Sequence, residues 1–120
     1  MDTAAGDAGV AERVRVGLLA DLRLDEVAVV EARGRRIAVF HTEEGVFGVD
    51  DRCTHQDAAL SDGFLEGCLI ECPLHASFFD LRTGEPSGPP ATRAVATYPV
   101  VDEDGELFVE LPVPADGGVS

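Results

Sequence analysis

Three dipeptides, Arg33-Gly34, Glu44-Gly45 and Asp104-Gly105, stand between short apolar runs at spacings that suit hairpin turns, with glycine supplying the positive φ that such turns require. The runs beside them alternate in polarity or are briefly all apolar, which is the pattern of strands. They predict strands over Val14–Leu18, Glu26–Val30, Arg35–His41, Val46–Val49, Cys68–Glu71, Phe78–Leu81, Tyr98–Val101 and Leu107–Leu111. Almost nothing carries the 3.6-residue period of a helix. An antiparallel all-β fold is therefore expected.

Two stretches break the rhythm. Residues 51–67, DRCTHQDAALSDGFLEG, are polar and loop-like, and residues 84–91, GEPSGPPA, form a proline-rich turn that cannot join a sheet interior. Long irregular segments in a compact domain usually have a functional reason. At 120 residues the chain suits one domain with a modest core. Residues 1–11 and 112–120 are Gly-, Ala-, Asp- and Pro-rich without periodicity, so a disordered N-terminal segment, a domain over 12–111 and a flexible C-terminal tail are expected.

The formal charge is −14, from 23 acids against nine arginines, which argues against nucleic acid and anionic membranes as partners and favours basic ones. Residues 48–120 carry 14 of the acids and three of the arginines, so the acidity lies in the half that contains the cysteines. No apolar run approaches the roughly 20 residues needed to cross a bilayer, and MDTAAGDAGV lacks the basic and apolar regions of an export signal. A cytoplasmic location is expected. In that setting three cysteines read better as ligands or thiols than as a disulfide framework.

Cys53-Thr54-His55 and Cys72-Pro73-Leu74-His75 form a C-x-H and a C-x-x-H, with 16 residues between His55 and Cys72. Thiolate and imidazole are the side chains best suited to softer transition metals, and all but one of the chain's cysteines and all but one of its histidines lie in these two motifs. A Cys2His2 zinc finger pairs cysteines in one knuckle and histidines on a following helix, a grammar absent here. Each motif instead offers one Cys and one His. That arrangement suits two iron atoms that each take one ligand from each loop, Cys53 and Cys72 on one and His55 and His75 on the other. The bland alternative is two unrelated Cys/His pairs near loops.

The segment from Asp51 to Gly84, DRCTHQDAALSDGFLEGCLIECPLHASFFDLRTG, resembles the cluster-binding part of Rieske proteins, with CTH and CPLH as the two ligand loops. RIAVFHTEEGVFGVDD resembles the strands that lead into the first loop, and GPPA at residues 88–91 the proline loop that covers the cluster. The resemblance implies a Rieske fold of three stacked antiparallel sheets, with a cluster-binding subdomain (about 51–84) inserted into a base domain and a proline loop over 86–91. It implies one 2Fe-2S cluster per chain, held by Cys53, His55, Cys72 and His75, with the outer edges of the two histidines as the exit for the electron.

Within that family the chain is most similar to the small ferredoxins of bacterial aromatic-ring dioxygenases. The resemblance implies a one-electron carrier, not catalytic alone, which takes electrons from a flavin-containing reductase and passes them to a terminal oxygenase where the substrate chemistry occurs. A monomer is expected. The two further cysteines of quinol-oxidising Rieske proteins are missing, with Asp57, Ala58 and Leu74 in their region. Phe79 stands where high-potential members have a tyrosine hydroxyl, and Asp57, Asp62, Glu66 and Glu71 surround the loops with negative charge. Ser77, which matches a serine that can donate to a bridging sulfide, opposes these effects. A potential toward the low end of the roughly −150 to +300 mV Rieske range follows.

Cys68 reads as a buried small hydrophobe and His41 as a surface residue at a strand end, so both stay outside the site. Gly63, Gly67 and Pro73 support the loops, while Asp80, Arg82 and Thr83 organise the turn after the second motif. Phe64 and Leu65 fit either the core or an apolar rim. Two rival functions are the small Rieske-like subunit of an assimilatory nitrite reductase and a structural zinc module.

Overall fold

The computed structural model describes residues 11–53, 58–73, 77–87 and 93–112. Among the described residues are ten strands, in order β1 (Ala11–Leu18), β2 (Val27–Ala32), β3 (Arg35–Thr42), β4 (Gly45–Asp50), β5 (Phe64–Glu66), β6 (Leu69–Glu71), β7 (Phe78–Asp80), β8 (Thr97–Tyr98), β9 (Val100–Glu103) and β10 (Glu106–Pro112). They form three antiparallel sheets, ordered β1-β10-β9, β2-β3-β4-β8 and β5-β6-β7. The helical content of the described residues is two single 3-10 turns, Leu19–Asp21 and Leu60–Asp62.

The run Ile37-Ala38-Val39-Phe40 explains the layering. All four residues are buried, whereas a strand with one wet face would alternate. Ile37 and Val39 enter a core with Leu107, Val109 and Leu111 of β10, while Ala38 and Phe40 enter another with Ile70 of β6 and Phe79 of β7. The four-stranded sheet is thus the middle layer, covered on both faces. Each fully buried Ile, Val or Phe contributes about 1.5–3 kcal/mol.

The turns follow the chemistry of their residues. Arg33-Gly34 and Asp104-Gly105 are two-residue connections with φ of 53° and 76°, and of 54° and 90°, as a twist-matched hairpin requires. At the third hairpin the connecting residues are Glu43 and Glu44, and Gly45 already opens β4. The Thr42 hydroxyl closes that turn by donating to the Gly45 carbonyl (2.9 Å) and accepting the Glu44 N–H (3.1 Å).

Three expectations are corrected. Tyr98–Val101 is not one strand: Pro99 separates β8, which pairs with β4, from β9, which pairs with β10. Proline removes a ladder donor, and the chain changes sheets there. Residues 51–67 are not loop throughout, because Phe64–Glu66 form β5, bounded by Gly63 and Gly67. Ala11 and Pro112, assigned from sequence to the terminal segments, pair with each other at the end of the β1–β10 ladder.

β4 and β8 are neighbours in the middle sheet, and β5-β6-β7 lie between them in sequence. The third sheet is therefore an insertion into the base formed by the other two.

Candidate metal centre

Cys53 follows β4 by three residues and Cys72 follows β6 directly. The Cys53 N–H donates to the Ala58 carbonyl (2.9 Å) and the Cys72 N–H to the Ser77 carbonyl (2.8 Å), so both close a loop at the same five-residue interval. Below each closure sits an antiparallel rung, Arg52 with Ala59 in one case and Glu71 with Phe78 in the other. Two matched hairpin ends result, each opening on a cysteine.

Cys53 and Cys72 are 3% and 1% exposed and belong to one core cluster, together with Leu60, Ile70 and Phe79. Neither is in a disulfide. Thr54, His55, Gln56 and Asp57 of the first loop and Leu74, His75 and Ala76 of the second lie outside the described residues, as do residues 88–92, which include the end of the proline loop. The described ends of both Cys/His loops fit a group that needs soft donors shielded from water.

Gly63 joins the two loops. A β-carbon there would fall 2.0 Å from the Glu71 carbonyl oxygen, so only glycine lets the end of the first loop lie against the strand that leads to Cys72. The proline loop is fastened at both ends: Ser87 N–H donates to the Phe78 carbonyl (2.8 Å) and Val95 N–H to the Gly84 carbonyl (2.9 Å). Pro86 makes a single bridge to Phe79, which keeps it at the edge of the sheet.

Register separates the two faces of the inserted sheet. Leu65, Ile70 and Phe79 form the inner row and pack into the cysteine core. Phe64, Glu71 and Phe78 form an outer row directly beside Cys72 and Ser77, with Phe64 63% exposed. Of the alternatives left open by sequence, Leu65 is core and Phe64 is rim. Asp62 and Glu66 flank it, both exposed. Ser77 is buried.

After the second loop, Arg82 grips Asp80 through Nε (3.0 Å) and Nη2 (2.9 Å) and reaches Glu44 through Nη1 (3.1 Å), tying the inserted sheet to the β3–β4 hairpin. The Arg82 guanidinium, hydrogen-bonded to both oxygens, holds the Asp80 carboxyl below the usual carboxylate range.

Cys68 is buried, with Sγ 3.5 Å from the Thr42 hydroxyl. It enters β6 while Cys72 leaves it, about 13 Å apart at strand rise, which removes it from the site. His41 is half-buried rather than at the surface, and its Nδ1–H donates to the Leu22 carbonyl (2.9 Å). Strand alternation places it on the face of β3 shared by Ile37 and Val39, away from the cysteine core.

The model of the Rieske [2Fe-2S] domain matches residues 12–99. The chain belongs to the Rieske [2Fe-2S] domain family. A 2Fe-2S cluster is the cofactor of that family, and the cysteine pair suits it. Among curated Rieske relatives, the 3-phenylpropionate/cinnamic acid dioxygenase ferredoxin subunit of Photorhabdus laumondii is 49% identical over 76 residues, 62% of this chain and 72% of the relative. The anthranilate 1,2-dioxygenase ferredoxin subunit of Burkholderia cepacia is 37% identical over 105 residues, 88% of this chain and 97% of the relative. Among solved structures, a chain from the complex of reduced oxygenase and oxidized ferredoxin in carbazole 1,9a-dioxygenase matches at TM-score 0.77 and 32% identity, with 81% of this chain and 91% of that chain covered.

Proposed function

We propose that this chain is the ferredoxin component of an aromatic-ring dioxygenase system, a cytoplasmic, monomeric one-electron carrier between a flavin-containing reductase and a terminal oxygenase. The observation that carries the reading is the matched pair of loops, each opened by a buried cysteine, closed five residues later and containing one histidine. The names of the relatives support the choice within the family. In this proposal Cys53 and Cys72 hold one iron and His55 and His75 the other, and the cluster, when bound, supplies reversible one-electron redox chemistry. Two thiolates donate more charge than two imidazoles, so Cys53 and Cys72 would favour the oxidised state of the iron they hold and His55 and His75 the reduced state of theirs. The domain spans residues 11–112, with the cluster-binding part over 51–84 and the proline loop over 86–91.

The protein's own residues do the rest. The core around Cys53 and Cys72 excludes water from the thiolates, and the exposed acids Asp62 and Glu66 favour basic docking partners. Purification from the native host tests the reading. A carrier is recovered as a free small protein whose addition restores substrate-dependent oxygen uptake to reductase and oxygenase fractions of the same extract. A stoichiometric large subunit with nitrite-reducing activity would establish the nitrite reductase alternative, which the ferredoxin relatives leave the weaker reading.

A further inference from the structure

Asp51 is a charged side chain only 1% exposed, two residues before Cys53. Its Oδ1 accepts the Ser61 N–H (2.7 Å), and its Oδ2 accepts the Ser61 hydroxyl (3.1 Å) and Arg36 Nε–H (3.2 Å). Its backbone joins the same places: Asp51 N–H donates to the Arg36 carbonyl (2.9 Å), and the Asp51 carbonyl accepts the Leu60 N–H (2.6 Å). One residue thus fastens the middle sheet, the start of the first ligand loop and the end of that loop. These bonds enclose the Cys53–Ala58 closure.

Ion pairing alone does not account for this placement. The Arg36 side chain is 53% exposed and also bonds Glu31, so its pair with Asp51 is worth little by itself. What the position requires is a two-oxygen acceptor for three converging donors, and hydrogen bonds to a carboxylate are the stronger kind. Removing it takes these acceptors from the Ser61 N–H and hydroxyl, and the 51–61 segment loses its side-chain tie to β3.

We propose that Asp51 is a positioning residue for the iron–sulfur centre. It holds the first loop shut, so that Cys53 is presented to Cys72 at a fixed separation. The inference rests on the proposed ligand set. Groups that orient metal ligands without touching the metal typically matter by about 10–100-fold in metal affinity.

The test compares holo wild type with Asp51→Ala, Asp51→Asn and Leu107→Ala. Leu107 is 1% exposed in the core on the other side of the middle sheet and serves as a control for general destabilisation. Iron release to a ferrous chelator in the presence of dithionite, the EPR spectrum of the reduced protein and the thermal midpoint are measured on each. Asp51→Ala is expected to release iron about tenfold faster or more, with shifted or broadened EPR features. Asp51→Asn, which keeps one acceptor oxygen, falls between it and wild type. Leu107→Ala lowers the thermal midpoint but keeps the wild-type spectrum and release rate.

Should Asp51→Ala not accumulate as folded protein, Ser61→Ala removes only the 3.1 Å bond and is read the same way, with a smaller change in the same direction. Wild-type release and an unchanged spectrum in the Asp51 or Ser61 variants overturn the proposal, as does equally fast release from Leu107→Ala. Wild type lacking two irons and two sulfides overturns the ligand set itself, and the positioning role with it.

Discussion

The Glu71 carbonyl oxygen occupies the space that a β-carbon on Gly63 would need, 2.0 Å from its ideal position. Neither partner is the far end of a flexible side chain, so Gly63→Ala has to push the first loop away from the strand before Cys72. The expected cost is about 1–3 kcal/mol, the range for overpacking, together with a loss of iron and sulfide per chain. Urea unfolding and iron analysis on the purified variant check this; full cluster content at wild-type stability would show that the contact does not space the loops.

Phe64 and Phe79 lie on opposite faces of one small sheet, and their substitutions should differ sharply. Phe79 is fully buried, so Phe79→Ala is expected to cost about 3–5 kcal/mol. Phe64 is largely exposed, and Phe64→Ala should stay within about 0.5 kcal/mol of wild type. Urea midpoints of the two holo variants, measured side by side, test the assignment of inner and outer rows.

Phe79 shares the core with both cysteines and offers no hydroxyl to a sulfur. The midpoint potential is expected toward the low end of the Rieske range, and Phe79→Tyr is expected to raise it. Protein-film voltammetry measures both. A wild-type value above about +150 mV, or no rise in the variant, would contradict this.

Asp80 titrates lower in the folded protein than in the unfolded chain, because Arg82 hydrogen-bonds both its oxygens. A group with a depressed folded pKa stabilises fully above its unfolded value, about 3.9, and loses that contribution as pH falls through the folded one. Asp80→Asn should therefore cost about 1 kcal/mol at pH 7, kept small by the exposure of Arg82, and little at pH 2. Stability curves from pH 2 to 7 test this; a cost that persists unchanged at pH 2 would place its origin elsewhere.

The hairpins are legible because Arg33-Gly34 and Asp104-Gly105 state their turn geometry locally, whereas the covering of the middle sheet on both faces is seen only in the fold, where Ile37 to Phe40 are all buried. β5 is not legible because three residues cannot display a period, although Gly63 and Gly67 bracket them. Pro99 reads as part of a strand because its flanks are apolar, although it lacks a ladder donor. Asp51 was the least legible: in DRCTHQD an acid reads as solvated loop, and only the fold brings Ser61 and Arg36 to it. The Cys/His motifs were readable because their chemistry is concentrated in a few adjacent residues, whereas support for them comes from distant ones.

Cys53, His55, Cys72 and His75 are the proposed ligands of one 2Fe-2S cluster. Low-temperature EPR of the dithionite-reduced protein, with iron, sulfide and zinc determined on the same sample, tests this most directly. The expected result is a rhombic signal with the low average g of histidine-ligated clusters, plus two irons and two sulfides per chain. An EPR-silent sample with one zinc and no sulfide would contradict it.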